Sequence, residues 1–201
     1  MVRTTVSSRE RILAAAFTLF GRYGYKRTSM EDIAREADLS RAALYLQFRN
    51  KEDIFRDLAG GLHEQALAGA KAALEREGAL ADRLRAAVEA KTLPMLEVIQ
   101  NSPHGSELMD EKNRLCGDLA TDSEERFREM LAGAFADADA AGEINLAAAG
   151  VDAAGAAGLF ARAVVGLKEP AGGTEEFRRA LASFVGVFVR GLRPGVSGSS
   201  A

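Results

Sequence analysis

The sequence predicts an all-α protein of about nine helices, in which a small N-terminal unit of three helices precedes a larger helical region. Apolar residues recur at spacings of three and four through most of the chain, and no segment shows the alternation typical of a strand. Several of these segments begin with Ser, Asn or Thr followed three residues later by Asp or Glu, a pattern typical of helix starts.

The charge of the chain is unevenly distributed, although its net value is only −3. Residues 1–56 hold 11 Lys and Arg against 7 Asp and Glu, whereas residues 57–201 hold 15 against 22. A basic end on an acidic chain indicates that this end meets a polyanion, with ordinary variation of surface charge as the alternative.

The sequence also excludes some classes of protein. No apolar run approaches the roughly 18 residues that a transmembrane helix needs. The N-terminal run MVRTTVSSRER contains no apolar stretch typical of a secretory signal. Cys116 is the single cysteine, so no intrachain disulfide can form. These features predict a cytoplasmic protein that does not enter a membrane.

The first helix is predicted to start after Ser7, because Glu10 stands at the capping-box spacing. Glycines at positions 21 and 24 are predicted to end it. Its apolar face should supply the core on which the next two helices rest. The residues predicted to point inward are Ile12, Leu13, Ala16, Phe17 and Phe20.

Residues 28–51 contain two short helical patterns separated by a three-residue break. The second pattern follows Ser40 and covers residues 41–48. Leu44 and Phe48 give it a buried face, which leaves its polar side chains on other faces. Two helices joined by a tight turn, with a long polar side chain near the start of the second, are the arrangement of a helix-turn-helix DNA reader.

The run DLSRAALYLQFRNKEDI resembles the signature that closes the DNA-binding domain of TetR-like transcriptional regulators, the tetracycline-repressor family. The resemblance covers residues 8–56, and the remainder matches the family only in length, helical character and order of elements. The residues in register with the signature are Leu39, Ser40, Leu44, Tyr45, Phe48, Lys51 and Glu52.

The chain departs from the common family pattern in three places. Asp38 stands where the turn often has Gly, and Asp tolerates a left-handed backbone better than most residues do. Ala42 and Ala43 replace a frequent Gly-Thr pair, and Leu46 and Gln47 replace an aromatic-His pair. The DNA sequence that is read therefore depends on side chains particular to this chain.

A DNA interface is predicted around the start of the second helix of the motif. Arg41 is predicted to read base edges, since a guanidinium can make two hydrogen bonds to guanine. Lys51 adds a full charge to the start of the following helix, which Asn50 caps, and a solvated surface lysine is the alternative. The complete predicted set is Thr28, Ser29, Arg41, Ala42, Tyr45, Leu46, Gln47 and Lys51.

Three divisions of the chain are predicted. Residues 1–50 form the DNA-binding domain, residues 51–195 a helical effector-binding and dimerisation domain, and residues 196–201 a flexible tail. The helices of the second domain are predicted over residues 51–77, 79–99, 106–120, 122–142, 152–167 and 175–192.

An apolar ligand cavity is predicted in the C-terminal region. A helical bundle with Pro94 inside one helix and several Met and Phe positions can enclose such a cavity. The resemblance implies a small, often apolar effector. Any single candidate can equally be a core residue, and two or three are expected to touch the ligand. The candidates are Met95, Ile99, Met109, Cys116, Phe127, Met130 and Phe160.

The last two helices are apolar over more than one face. They are predicted to form a four-helix bundle with the same helices of a second chain, and a core within one chain is the alternative. A homodimer would place two reading helices on a palindromic site in double-stranded DNA.

No catalytic constellation is present in the sequence. The chain lacks the G-x-S-x-G, G-x-x-x-x-G-K and G-x-G-x-x-G motifs. His104 with Glu107 or Asp110 is a weak metal candidate, because two histidines and one cysteine are poor material for a metal site. We therefore expect neither an enzyme nor a cofactor.

The sequence thus predicts a homodimeric transcriptional regulator, acting as a repressor that a small apolar ligand releases from a palindromic operator. One alternative is a small-molecule sensor or binding protein with a degenerate DNA-binding end. The other is an all-helical enzyme that uses the cavity.

Overall fold

A computed structural model of the chain describes residues 7–168 and 173–193, which contain helices and no strand. The predicted tail, residues 196–201, lies outside these ranges. The all-α class is confirmed. Within the described residues the nine helices are α1 (Ser8–Tyr23), α2 (Met30–Glu36), α3 (Arg41–Gln47), α4 (Lys51–Leu74), α5 (Leu80–Asn101), α6 (Gly105–Leu115), α7 (Gly117–Ala140), α8 (Ala153–Leu167) and α9 (Gly173–Gly191).

The chain divides into two compact units. Unit 1 consists of Met1–Glu64 and Pro94–Thr121, and unit 2 consists of Gln65–Leu93 and Asp122–Ala201. Unit 1 thus extends past residue 50, where the sequence predicts a domain boundary. The division into a DNA-binding domain and an effector-binding domain remains a prediction.

Both ends of α1 follow from local sequence. The Glu10 backbone N–H donates to Ser7 Oγ at 3.2 Å, and the Ser7 N–H donates to Glu10 Oε2 at 2.7 Å, which completes the predicted capping box. The helix ends at Gly24, where φ is +86°. The inward prediction for Phe17 is wrong, because its side chain is 44% exposed. The buried face passes through Ile12, Ala15, Ala16, Leu19 and Phe20.

The turn between α2 and α3 is held by a contact from α1. Asp38 has φ +52°, the left-handed conformation that the sequence makes possible at this position. The Arg11 guanidinium donates to the carbonyl oxygens of Ala37 and Asp38, at the end of α2. Ser40 Oγ then accepts the backbone N–H of Ala43 at 3.1 Å and starts α3. The predicted helix-turn-helix is therefore present.

An aromatic group forms part of the core of unit 1. The rings of Phe20, Tyr25 and Phe55 have centroids 5.1–5.7 Å apart. Leu44 and Phe48, the predicted inner face of the reading helix, are buried in the same core. Full burial of a side chain of this size contributes about 1.5–3 kcal/mol.

The boundary between α6 and α7 differs from the prediction. The predicted helix over residues 106–120 ends instead at Leu115, and α7 starts at Gly117. The Arg56 guanidinium of α4 donates to the Leu115 carbonyl and to both carboxylate oxygens of Asp118. Cys116 between the two helices is fully buried. Tertiary contacts therefore fix this break, and a helical period cannot reveal them.

Unit 2 has its own aromatic cluster, and ring centroids within it lie 5.2–5.9 Å apart. Asp152 caps α8 as predicted, since its carboxylate accepts the Gly155 N–H at 2.7 Å. The aromatic cluster consists of Phe135, Phe160, Phe184 and Phe188.

In the part of the chain that the structure describes, no helix combines the length and apolar character that crossing a membrane requires.

Candidate functional site

The outer face of α3 is exposed along its whole length. Leu44 anchors the helix with no exposed surface, so the opposite side points away from the core. The Arg41 side chain is 67% exposed, and Leu46, at 84%, is the most exposed large apolar residue in the described ranges. The predicted DNA-binding residues on this helix that are exposed are Arg41, Ala42, Tyr45, Leu46 and Gln47.

Arg41 is paired with the helix that precedes it. Its Nη1 lies 2.8 Å from Glu31 Oε1, and its guanidinium lies 5.5 Å from the centroid of the Tyr45 ring. An ion pair this exposed contributes about 0–1 kcal/mol. The pair orients Arg41 without holding it strongly, so a stronger partner can displace Glu31.

Ser29 and Thr28 lie together but in different environments. Ser29 Oγ caps α2 by accepting the Asp32 N–H at 3.2 Å, and the residue is exposed. Thr28 is buried, and its hydroxyl donates to the Gly24 carbonyl at 2.8 Å. The Thr28 side chain therefore supports the segment between α1 and α2, and its contact with phosphate stays a prediction.

Lys51 extends from the start of α4 toward the same segment. Its ammonium donates to the carbonyl oxygens of Tyr25 at 2.6 Å and Thr28 at 2.8 Å. Burial lowers the pKa of Lys51, and the carboxylates of Glu111 and Glu107 oppose this shift. Two of its three donors are thus used inside the unit, and its contact with phosphate stays a prediction.

Unit 1 contains a cavity of about 740 Å³, within the range of sites for small organic ligands. Two of the predicted ligand-binding residues, Met95 and Ile99 of α5, line it. Residues of α4 and α6 contribute further walls, mainly through apolar side chains. The remaining wall is formed by α1, a helix that the sequence reasoning assigned entirely to the DNA-binding core.

The other five ligand candidates do not line this cavity. Met109 is half-buried on α6, and Cys116 is a core residue of unit 1 whose thiol pKa is raised by burial. The structure places the remaining three in unit 2, where Phe160 belongs to the aromatic cluster. The seven candidates are therefore not brought to one place. Those in unit 2 are Phe127, Met130 and Phe160.

Sequence reasoning missed the α1 side of the cavity. Phe17, Gly21 and Arg22 line it, and they stand beside the buried face of α1 rather than within it. A signal was present, because α1 carries more apolar residues than one narrow face requires. The prediction that Gly21 ends the helix is wrong, since α1 continues to Tyr23. Only the fold shows that α5 and α6 pack near this side.

The residues of the weak metal candidate lie at the start of α6. His104 Nδ1 lies 3.9 Å from Glu107 Oε2. Across residues 7–168 and 173–193, no three His, Cys, Asp or Glu side chains form a group that could hold a metal ion.

The outer surfaces of α8 and α9 carry exposed apolar side chains. Leu159 and Val165 on α8 are 47% and 56% exposed, and Val187 on α9 is 66% exposed. These helices pack against each other within unit 2. Their inner faces thus belong to the core of one chain, which is the alternative to a dimer interface given above. Their outer faces are exposed, and dimerisation through them stays a prediction.

The model of the tetR family of bacterial regulatory proteins matches residues 12–58, which contain α2, α3 and the residues around them. The chain is 38% identical over 48 residues to the icaADBC biofilm operon negative transcriptional regulator IcaR of Staphylococcus epidermidis, covering 24% of this chain and 26% of that protein. It is 38% identical over 68 residues to the transcriptional regulator TtgR of Pseudomonas putida, 32% of each chain. These matches span about a quarter to a third of the relatives.

Similarity to solved structures extends over nearly the whole chain. A SmeT–triclosan complex matches with a TM-score of 0.67 at 20% identity, covering 94% of this chain and 93% of that one. A TetR-family regulator of Mesorhizobium loti matches with a TM-score of 0.71 at 19% identity, covering 91% and 95%. At these identities the likeness shows a shared fold. The match to the tetR family of bacterial regulatory proteins thus rests on residues 12–58, and the likeness of the rest of the chain to these structures is one of fold.

Proposed function

We propose that the protein is a homodimeric DNA-binding regulator that represses transcription from a palindromic operator and is released by a small apolar ligand. The single observation that supports this most is the exposed outer face of α3, which Leu44 fixes in orientation and which starts with Arg41. Helices of this kind enter the major groove with the residues of their first turn against the base edges.

In this proposal Arg41 exchanges Glu31 for guanine and supplies base-specific contacts. Ser29, Tyr45 and Gln47 bind phosphates and fix the position of α3 in the groove. Lys51 keeps one ammonium donor for a phosphate near the start of α4. Such a regulator acts where the bacterial chromosome lies, in the cytoplasm.

Dimerisation is proposed through the outer faces of α8 and α9. The exposed side chains of Leu159, Val165 and Val187 are apolar, and burying them against a second copy would remove their surfaces from water. A symmetric pair of chains presents two α3 helices to two half-sites, which is the physical reason for expecting a palindrome.

Repression and ligand release are proposed from the relatives and the cavity together. IcaR is named a negative regulator, and the structural neighbour SmeT is seen with triclosan, a small apolar molecule. The cavity of about 740 Å³ in unit 1 could hold a molecule of this kind. A ligand releases DNA only if it binds the released conformation more tightly than the DNA-bound one.

The testing experiment is repeated selection of the purified protein on random DNA duplexes. We expect a palindrome to be enriched. Titration at two salt concentrations should then give a slope of log affinity against log salt of about −0.9 per phosphate neutralised.

A sensor with a degenerate DNA-binding end is the second candidate, favoured by the apolar Ala42 and Leu46 on the outer face of α3. Selection should be repeated with protein that has been unfolded and refolded to remove bound ligand. Failure of the refolded protein to enrich any sequence would establish the sensor and reject the regulator.

A further inference from the structure

We infer that the cavity of unit 1 is the effector site, that helix α1 forms one of its walls, and that the cavity takes an apolar molecule carrying one acidic group. Helices α1, α2 and α3 together are called the reading head below. This inference rests on the proposed function, because it names the site and the ligand class of the proposed release. It goes beyond the proposed function by placing the ligand in direct contact with α1 of the reading head.

The wall formed by α1 is the first part of the argument. Phe17, Gly21 and Arg22 face the cavity from α1, and Met95 and Ile99 face it from α5. The ring of Phe17 is 44% exposed although neighbouring apolar residues of α1 are buried. A Cβ built on Gly21 would meet no atom within 4 Å. This side of α1 therefore offers an aromatic surface and open space to a ligand.

The charges of the lining indicate the polar part of the ligand. Two cationic side chains, Arg22 and Lys112, line the cavity against one carboxylate, that of Glu97. The guanidinium of Arg22 lies 5.3 Å from the centroid of the Tyr23 ring and has no ion pair within the described ranges. The Arg22 guanidinium beside the apolar part of the lining favours a carboxylate, sulfonate or acidic phenol, because charge-assisted hydrogen bonds are the strong ones.

Short contacts join α1 and the segment between α1 and α2 to the residues around the start of α6. Ser102 Oγ donates to the Gly21 carbonyl at 2.8 Å, and Glu107 Oε1 accepts the Lys26 N–H at 2.7 Å. A Cβ at Gly24 would lie 2.5 Å from Glu107 Oε2, so the start of α6 fits closely against the end of α1. A ligand that separates α1 from α5 would strain these contacts and tilt the reading head.

The test uses two fluorescent probes that differ in one charge. 1-Anilinonaphthalene-8-sulfonate carries an anionic group on an apolar body, and N-phenyl-1-naphthylamine is the same body without it. Both should bind the wild-type protein saturably, with increased fluorescence. Gly21→Leu should fill the cavity and weaken both probes by about tenfold or more. Gly133→Leu is the matched control, because Gly133 is an exposed helical glycine of α7 with no atom within 4 Å of its Cβ position.

Two further variants keep the test decisive. Phe17→Ala changes an exposed side chain, so it should fold normally and still weaken both probes. Arg22→Gln should weaken the sulfonate by about tenfold and leave the neutral probe unchanged, because it removes a charge-assisted contact. Unchanged binding of both probes in Gly21→Leu and Phe17→Ala would overturn the site. Equal weakening of the two probes by Arg22→Gln would overturn the acidic ligand class.

Operator binding separates this inference from the function on which it rests. The sulfonate probe should lower operator affinity of the wild type and of Gly133→Leu, but not of Gly21→Leu. If the probe fills the cavity and operator affinity stays constant, control of the head from this cavity is rejected while the regulator stands. If no operator is selected, the regulator fails, and probe binding still decides whether the cavity is a ligand site.

Discussion

Arg41 Nη1 lies 2.8 Å from Glu31 Oε1, so the side chain that we expect to read a base is held by a carboxylate of the preceding helix. The carboxylate would also lie close to DNA phosphates when α3 enters the groove. We therefore expect Glu31 to oppose DNA binding, both by occupying Arg41 and by its negative charge.

Glu31→Gln should strengthen binding to operator and non-operator duplexes by about two- to fivefold, since an exposed ion pair contributes less than 1 kcal/mol. Thermal stability should be unchanged. Affinities are measured by fluorescence anisotropy at fixed salt. A weaker operator complex would instead make Glu31 a residue that positions Arg41 for the base.

Lys51→Gln should lower the free energy of unfolding by about 1–2 kcal/mol, because two carbonyl oxygens lose a charged donor that is only partly screened by solvent. Denaturant titration measures this loss. If Lys51 also binds phosphate, the salt slope of DNA binding decreases by about 0.9 for each contact removed. A stability loss with an unchanged slope would restrict Lys51 to supporting the segment between α1 and α2.

Gly24→Ala and Gly21→Ala should change stability in opposite directions. Gly24 has φ +86° and lies against Glu107, so a side chain there should cost about 1 kcal/mol or more. Gly21 lies inside α1 with open space at its Cβ position, so alanine should add about 0.5–1 kcal/mol. Thermal unfolding of the two variants tests this. Equal destabilisation would contradict the open space that the cavity leaves beside α1.

The Arg56 guanidinium lowers the pKa of Asp118 from its ordinary 3.8 to about 2. A carboxyl group whose folded-state pKa is depressed stabilises the protein above its unfolded pKa, and this contribution is lost as pH falls from about 4 to about 2. Asp118→Asn should therefore lower the thermal midpoint at pH 7 in low salt. The difference from wild type should disappear near pH 2. A constant difference across this range would exclude the Arg56 pair as its cause.

Much of the fold could be predicted because helix starts depend on neighbouring residues. Ser7, Ser40, Asn50 and Asp152 cap the helices expected of them, since a cap is a contact across three positions in sequence. The break at Cys116 could not be predicted, because Arg56 fixes it from a distant part of the chain.

The candidate site shows the same limit of local reasoning. Exposure of Arg41 and Leu46 follows from the burial of Leu44 on the opposite side of α3, so the outer face could be predicted. The carboxylate beside Arg41 and the α1 wall of the cavity depend on how helices pack. Met95 and Ile99 line the cavity, as the composition of their helix predicts. Phe17 lines it too, although the sequence places this residue in the core.

The most direct test of the regulator is the ratio of affinities for the selected palindrome and for a random duplex, measured for wild type and Arg41→Ala at one salt concentration. We predict a wild-type ratio of about 10³ or more, which is usual for specific regulators. Arg41→Ala removes one contact worth about 1–3 kcal/mol in each of the two half-sites, so the ratio should fall by about 30-fold or more. Equal ratios for the two proteins would contradict base reading by α3, and a wild-type ratio near one would contradict the regulator itself.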